Sequence, residues 1–323
     1  MAIRQIRHPG ERFDLKLDPA KPFDAVGFGM NAVDHLCVVP RYPRYDTKTE
    51  IMQYEMLPGG QVATAVVCLA RMGWRTKYVG KVGSDSLGQC QLESLRAEAI
   101  DTSAVVVEAG ARNQYAFIIT DHATGERTIL WQRDRRLDFQ PDELRRADIC
   151  SGRILHIDAH DGGSVLRAAT WAQEEGIAVV IDVDKVVPGC EELLAQVDFL
   201  IMSSNFPVDL THIEDPCEGL RAMRNYCSGL VAVTLGADGV MALIGDDCYS
   251  FPAYSVRAVD TTGAGDVFRG AFIHGLLRNW TLGQIMRFAN AAAGLSCTKL
   301  GARSGIPTVA EASELARLEA GNR

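Results

Sequence analysis

Residues 260–272 read DTTGAGDVFRGAF. Three tiny residues, Gly263, Ala264 and Gly265, stand before Asp266, and an apolar-periodic run follows through Val267, Phe268, Ala271, Phe272, Leu276 and Leu277. The pattern predicts a tight glycine turn opening a helix, with the Asp266 carboxylate at or near the N-cap. Two readings of that carboxylate compete. Asp is a favoured N-cap that ties up orphan N–H groups. A cap needs one Asp, however, and not a run of tiny residues that opens the bare backbone to another molecule. Gly-Ala-Gly at a helix start leaves several N–H donors at the positive end of the dipole, which is an anion site. A carboxylate beside an anion site is electrostatically awkward unless chemistry uses it.

The chain around this stretch has 323 residues, 47% of them hydrophobic, enough for a substantial core in one large or two ordinary domains. Net charge is −8, and basic residues are scattered apart from a short stretch at 133–136, so no nucleic-acid footprint is present. No run of 18 apolar residues predicts a membrane span. The first 22 residues, MAIRQIRHPGERFDLKLDPAKP, lack the apolar core of a signal peptide and read as an extension ahead of the first strand. Nine widely spaced cysteines without a C-x-x-C predict reduced, mostly buried thiols in a cytoplasmic protein, with neither zinc nor disulfides.

From about residue 154, short apolar runs alternate with helical stretches: RILHID, VLRAATWAQEEG, IAVVIDV, a helix near Glu191–Gln196, VDFLIMS, a helix around Cys217–Cys227, and LVAVTLG. The alternation predicts an α/β fold with a parallel sheet covered on both faces. The first half adds the strand AVGFG, a helix over Val62–Met72 and the strand KYVGKV. Two segments break the rule. IMQYEM (51–56) and the hairpin YAFIITDHATGERTILWQ (115–132) have β character with no helix between, which suggests a little sheet set apart as a lid.

GFGMNA (27–32) fits the G-x-G-x-x-A dinucleotide fingerprint, but VDHLCVVPRYPRYD follows it with no helical period, so an extended continuation fits better. P-loop, protein-kinase, zincin and nucleophile-elbow motifs are absent. Phosphate transfer, if this chain performs it, needs another apparatus.

DTTGAGDVFRGAF resembles the C-terminal signature of the ribokinase-like (PfkB) carbohydrate kinases, and PGGQVATAVVCLARMGWRTKYVGKVGSDSLG (58–88) resembles their N-terminal one. AVGFGMNAVDHL (25–36), VTLGADG (233–239) and FANAAAGLSCTKLGARSGIP (288–307) also fall in the family's order. The resemblance implies a three-layer α/β/α sandwich with a mainly parallel central sheet and a small β lid. The kinase domain would span 23–323, with lid segments near 36–57 and 112–133. It further implies transfer of the γ-phosphoryl of ATP to a sugar hydroxyl, with Mg²⁺ bridging the phosphates and, in many members, K⁺ nearby. Sugar and ATP would be its partners, and a homodimer through the lid follows from the way family lids often pair.

By the same resemblance Asp266 is the base that takes the hydroxyl proton, and the N–H groups of Gly263, Ala264 and Gly265 neutralise the transferring group. Asp34 is the aspartate that binds sugar hydroxyls, while Gly59 and Gly60 let the substrate approach the next helix. Asn205, Thr234, Gly236 and Gly239 fall in the nucleotide site, and Asn290 falls where the family often contacts adenine. As plain residues, Asp34 could form a loop Asx-turn and Asn290 a satisfied core amide. Asp260, Gly301 and Ser304 stand where many members hold a monovalent cation.

Two positions depart from the family. Thr64 replaces the Asn of G-G-x-x-x-N, offering one hydroxyl instead of an amide fork, which predicts recognition of different hydroxyls from those of ribose. N-x-x-E becomes Asn205-Phe-Pro-Val208, with Asp209 adjacent. The spelling around Thr64 and the KLGARSGIP ending lean towards a ketose such as fructose or a derivative. A nucleoside kinase of the same superfamily and a catalytically weak sugar- or nucleotide-binding regulator are the competing readings. Arg133, Arg135 and Arg136 read either as a solvated loop answering Asp134 and Asp138, or as a source of one arginine that reaches an anionic substrate group under the lid.

Overall fold

The computed structural model describes residues 7–124, 126–140 and 142–318. In chain order, β1 (Phe23–Phe28) leads through β2 (Ala32–Val39) and β3 (Gln53–Gly59) to α1 (Gln61–Arg71), β4 (Thr76–Gly83), α2 (Ser86–Ala97) and β5 (Val105–Glu108). A hairpin of β6 (Tyr115–Asp121) and β7 (Arg127–Gln132) follows. Then α3 (Arg146–Ile149), β8 (Gly152–Asp158), α4 (Gly162–Glu174), β9 (Ala178–Val183), α5 (Cys190–Leu194) and β10 (Phe199–Ser203) succeed one another. They continue into α6 (Asn205–Thr211), α7 (Pro216–Met223) and β11 (Leu230–Thr234). A second hairpin, β12 (Val240–Ile244) and β13 (Asp247–Phe251), precedes α8 (Ala264–Leu277), α9 (Leu282–Ser296) and α10 (Val309–Leu315).

Nine strands form one sheet in the order β13-β12-β11-β10-β9-β8-β1-β4-β5, parallel from β11 to β5, with β12 and β13 antiparallel at one edge. The apolar runs are near-continuous because both faces are covered. Along β9, Val179 and Ile181 join one core with Val165 and Ala168 of α4 and Leu194 of α5. Val180, between them, joins the opposite core with Phe268 and Phe272 of α8 and Phe288 of α9. The result is the three-layer α/β/α sandwich expected from the sequence.

The segment before β1 is no free arm. Phe13 is buried with its ring edge-on to Phe199, centroids 4.9 Å apart, and Leu282 and Gly283 donate backbone hydrogen bonds to the carbonyls of Glu11 and Pro9. GFGMNA turns into β2 and not into a helix. A side chain on Gly27 would stand 2.3 Å from Val66 Cγ2, so this glycine serves the close packing of α1 on β1.

The remaining strands form a second sheet, β3-β2-β6-β7. It is two-faced, as period-2 alternation requires. Leu36, Ala116 and Ile118 are buried on its inner face. Met56, His35, Phe117 and Leu130 stand in register across the other face, where Met56, Phe117 and Leu130 are exposed.

The cysteine expectation needs correction. Cys217, at the start of α7, is disulfide-bonded to Cys248 in β13. An odd total forbids full pairing but not one bridge between elements that meet at the sheet edge. Of the other thiols, Cys37 and Cys90 are half-buried and Cys68, Cys150, Cys190, Cys227 and Cys297 are buried. With 31 residues between its ends, the bridge should contribute about 2–4 kcal/mol by constraining the unfolded chain. Cys217→Ala/Cys248→Ala, or the parent under reductant, should therefore unfold at lower denaturant. An unchanged midpoint would show that the bridge contributes nothing.

Candidate active site

A cavity of about 440 Å³ lies between the carboxyl ends of the main-sheet strands and the inner face of the small sheet. This is the crevice where ligands bind in open α/β sheets. Ala32 and Asp34 of β2, Ala116 and Ile118 of β6, and Arg127, Ile129 and Trp131 of β7 contribute one wall. Asp182, Asp184, Lys185 and Ser203, around the ends of β9 and β10, contribute another. The opening stretch supplies Thr261, Thr262, Gly263, Gly265, Asp266 and Arg269.

The start of α8 is shaped by glycine. Gly263 is the N-cap, with φ 75°, and a side chain there would stand 2.5 Å from Ala302 Cβ. Asp266 is the third helical residue and no side chain caps this helix start, so the capping reading falls away. Among the described residues no hydrogen bond is donated to its carboxylate. Asp266 is half-buried, and the surface it retains lines the cavity. Burial, followed by the neighbouring Asp182 carboxylate, raises its pKa well above the usual carboxylate range, while Arg269 opposes the rise. The first-turn N–H groups of α8 have no intrahelical acceptors, so the cavity wall carries both a donor cluster and a carboxylate.

Arg269 escaped the sequence reading although it lies in the same stretch. It is 1% exposed, its Nη2 lies 2.7 Å from Asp182 Oδ1, and it donates to the Ile201 carbonyl at 3.1 Å. Burial lifts the Asp182 carboxyl to about 6, against the pull of Arg269. The available signals were an arginine inside an apolar run and an aspartate ending the apolar strand IAVVIDV.

Asp34 is 7% exposed on the inner face of the small sheet. Burial raises its carboxyl to about 6, with Arg303 opposing and Asp260 adding to the rise. A side chain on Gly59 would stand 2.2 Å from Asp34 Oδ2, so Gly59 is small to let this carboxylate in. Gly60, with φ 92°, begins α1 and lines the cavity. Thr64 sits one helical turn further on, fully buried behind the wall, where its hydroxyl accepts from Arg303 Nε at 3.3 Å. Arg303, also missed, donates to Ser94 Oγ at 3.0 Å and to the Gly59 carbonyl at 2.7 Å. Burial depresses its pKa to about 10 even with Asp34 supporting its charge.

The residues singled out for a nucleotide lie outside this cavity, as a neighbouring group. Thr234 pairs with the cavity residue Ser203, and its hydroxyl donates to the Met202 carbonyl at 3.1 Å. Asn205 is exposed at the start of α6. Gly236 and Gly239 bound the turn after β11, where a side chain on Gly239 would meet the Phe251 carbonyl. Asn290 donates to the Phe251 and Pro252 carbonyls at 2.8 and 3.1 Å, holding the end of β13 against α9. Asp260 braces its own loop, accepting from Gly301 N at 2.8 Å and from Thr262 N and Oγ1 at 2.9 and 2.7 Å. Ser304 is exposed.

The arginine stretch divides. Arg136 is exposed and paired with Asp134 at 2.6 Å. Arg133 is not solvated: it is paired with Asp161 at 2.7 Å and Asp138 at 3.0 Å, and donates to the cavity residue Gln114 at 3.3 Å. Its charge is thus already balanced by protein carboxylates. Besides Arg269, basic side chains that line the cavity are Arg127, which donates to the Thr261 hydroxyl, and Lys185, 5.1 Å from the Trp131 ring centroid.

This architecture is shared with solved structures. One is the ribokinase of Arabidopsis thaliana complexed with ribose and ATP, with a TM-score of 0.77 at 21% identity over 92% of this chain and 99% of that one. By sequence, the chain is 28% identical to a ribokinase of Haemophilus influenzae over 87% of this chain and 94% of that protein. It is 30% identical to fructokinase-1 of Zea mays over 80% and 88%. Residues 26–309 match the pfkB family carbohydrate kinase model, and with the glycine-opened helix, the buried carboxylates and the two sheets in place, the chain belongs to that family and is a sugar phosphotransferase.

Proposed function

We propose that this protein is an ATP-dependent kinase acting on a ketose such as fructose or a derivative. The observation that carries the reading is the convergence of two carboxylates, buried Asp34 and half-buried Asp266, on one cavity whose wall is a glycine-opened helix start. Asp34 accepts hydrogen bonds from sugar hydroxyls and orients the ring. Asp266 takes the proton of the attacking hydroxyl as its oxygen bonds to phosphorus and ADP departs. The first-turn N–H groups of α8 and the Lys185 ammonium balance charge on the transferring group, the electrostatic task that dominates phosphoryl transfer. The uncapped helix start suits a phosphate, and Mg²⁺·ATP supplies the phosphoryl group and a further cation there. Ile129, Trp131 and the rest of the inner face exclude water above the sugar. The exposed row of Met56, Phe117 and Leu130 on the outer face supports pairing of two small sheets in a homodimer.

Trp131 is the one observation that favours a second reading, a nucleoside kinase, because an aromatic wall can stack on a base. A coupled ADP-release assay over ketoses, aldoses, sugar acids and nucleosides, with and without K⁺, decides between them. Ketose-dependent ADP release is expected. Turnover of nucleosides alone would favour the second reading, and sugar-independent hydrolysis or none would favour a regulator.

Asp34→Ala removes a charged acceptor from a closed site, a loss of about 1.5–3 kcal/mol in sugar binding. The sugar KM should rise about 10- to 100-fold, and the ATP KM little. A change confined to the ATP constant would place Asp34 elsewhere.

A further inference from the structure

We propose that the buried Arg269–Asp182 ion pair is a positioning device for Asp266, holding the first turn of α8 against β9 and setting the charge around the base. The inference rests on Asp266 being the base. Three observations carry it. Arg269 follows Asp266 by three residues, so the two share one side of α8. Asp266, Asp182 and Arg269 all line the same cavity, and Arg269 bridges the helix to β9 through Asp182 and to β10 through Ile201. Gly265 leaves room for this arrangement, since a side chain there would stand 2.5 Å from Arg269 Nη1.

A structural bridge alone does not account for these features. Arg269 Nε has no hydrogen-bond partner among the described residues, and two apolar side chains of similar volume would fill the same space without burying charge. Its position beside two carboxylates does account for them. Without a cation, two buried carboxylates in one cavity share a proton near neutral pH, as like charges at close range cannot both ionise. A protonated Asp266 cannot accept the hydroxyl proton. With Arg269 present the group carries one net negative charge, and Asp266 can stay ionised while still basic enough to work. The other charged or titratable groups facing this site are Asp34 from β2, Arg127 from β7, His156 and Asp158 from β8 with His160 after it, Asp184 and Lys185 after β9, and Arg303 behind Gly59. Asp34 adds to the upward push on Asp266 and Arg303 opposes it, but both act more weakly than Asp182 and Arg269 respectively.

The signs make the test specific. Arg269 lowers the pKa of the base, so Arg269→Met should move the acid limb of the kcat–pH profile to higher pH. Asp182 raises it, so Asp182→Asn should move the same limb to lower pH. Each displacement should be about 1–3 pH units, with apparent values that belong to the coupled pair. Arg269→Met should thus lose about 5- to 500-fold in kcat at the pH of the parent's half-maximal rate and recover as pH rises, with the ATP KM nearly unchanged. Arg269→Lys keeps the charge and should keep the limb near the parent position. Should the Met variant fail to fold, Asp182→Asn and Arg269→Lys carry the test. Equal losses at every pH, with the limb unmoved in folded Asp182→Asn and Arg269→Met, would overturn the proposal and leave the base reading intact. Asp266→Asn run alongside separates the two ideas: if it turns over like the parent, the base reading fails and this one with it.

Discussion

Replacing Asp266 by Asn is expected to lower kcat by about 10²–10⁴-fold while ATP affinity is largely kept. The substitution preserves size and an acceptor oxygen and deletes only basicity. The fold has little reason to respond. Asp266 is not the cap of α8, which begins at Gly263, and no hydrogen bond among the described residues depends on its carboxylate. Stability should rise slightly or stay level above pH 7. Burial raises the carboxyl above its unfolded value, so the ionised form weakens the fold as pH climbs through the unfolded pKa, and Asn escapes that cost. A variant that is inactive yet as stable as the parent would assign Asp266 to chemistry. Parent-like turnover in the purified, folded variant would sink the assignment.

How far this site was legible in the sequence depended on whether the signal was local. The helix after Gly263 could be read because its glycines and apolar period are contiguous, and the parallel sheet because strands covered on both faces are written as unbroken apolar runs. The hairpin of β12 and β13 passed unread, although Gly245 at its turn was visible; a short edge pair carries less contrast than a buried strand. Asp34, Gly60 and Asp266 belong to motifs and reached the cavity. Arg269, Asp182 and Arg303 were given no role, although Arg269 and Arg303 lie inside quoted stretches, because a charge in an apolar run reads as a break in the pattern until its partner is known. Those partners are remote: Arg269 and Asp182 lie on different layers, and Arg303 meets Thr64 and Gly59 from the far end of the chain. The Cys217–Cys248 bridge was hidden for the same reason, since cysteine count and spacing do not report which sheet edges meet.

Arg303 is expected to be the most stability-sensitive of these residues. It is buried, and its three hydrogen-bond acceptors are the Thr64 hydroxyl, the Ser94 hydroxyl and the Gly59 carbonyl, on α1, α2 and β3. One guanidinium therefore ties the C-terminal loop at 301–305 to two helices and to the small sheet. Arg303→Met keeps most of the apolar stem and removes the fork. The Gly59 carbonyl loses a charged donor, and Asp34 loses the cation that offsets its burial. Removing one member of a buried charge group costs about 3–5 kcal/mol, well above the cost of deleting an exposed ion pair. Asp34, already raised to about 6, should then bind its proton more tightly, so the sugar KM of the variant should worsen as pH falls towards neutrality. Arg303→Lys retains charge without the planar fork and should lie between parent and Met in both measurements. Denaturant unfolding and sugar KM against pH are the two readouts, and they answer different questions. A lower unfolding midpoint with an unaltered sugar KM would make Arg303 a structural tie alone. A parent-like midpoint would show that the loop is held by other contacts, chief among them the Arg71 bond to the Arg303 carbonyl at 2.5 Å, which the substitution leaves in place.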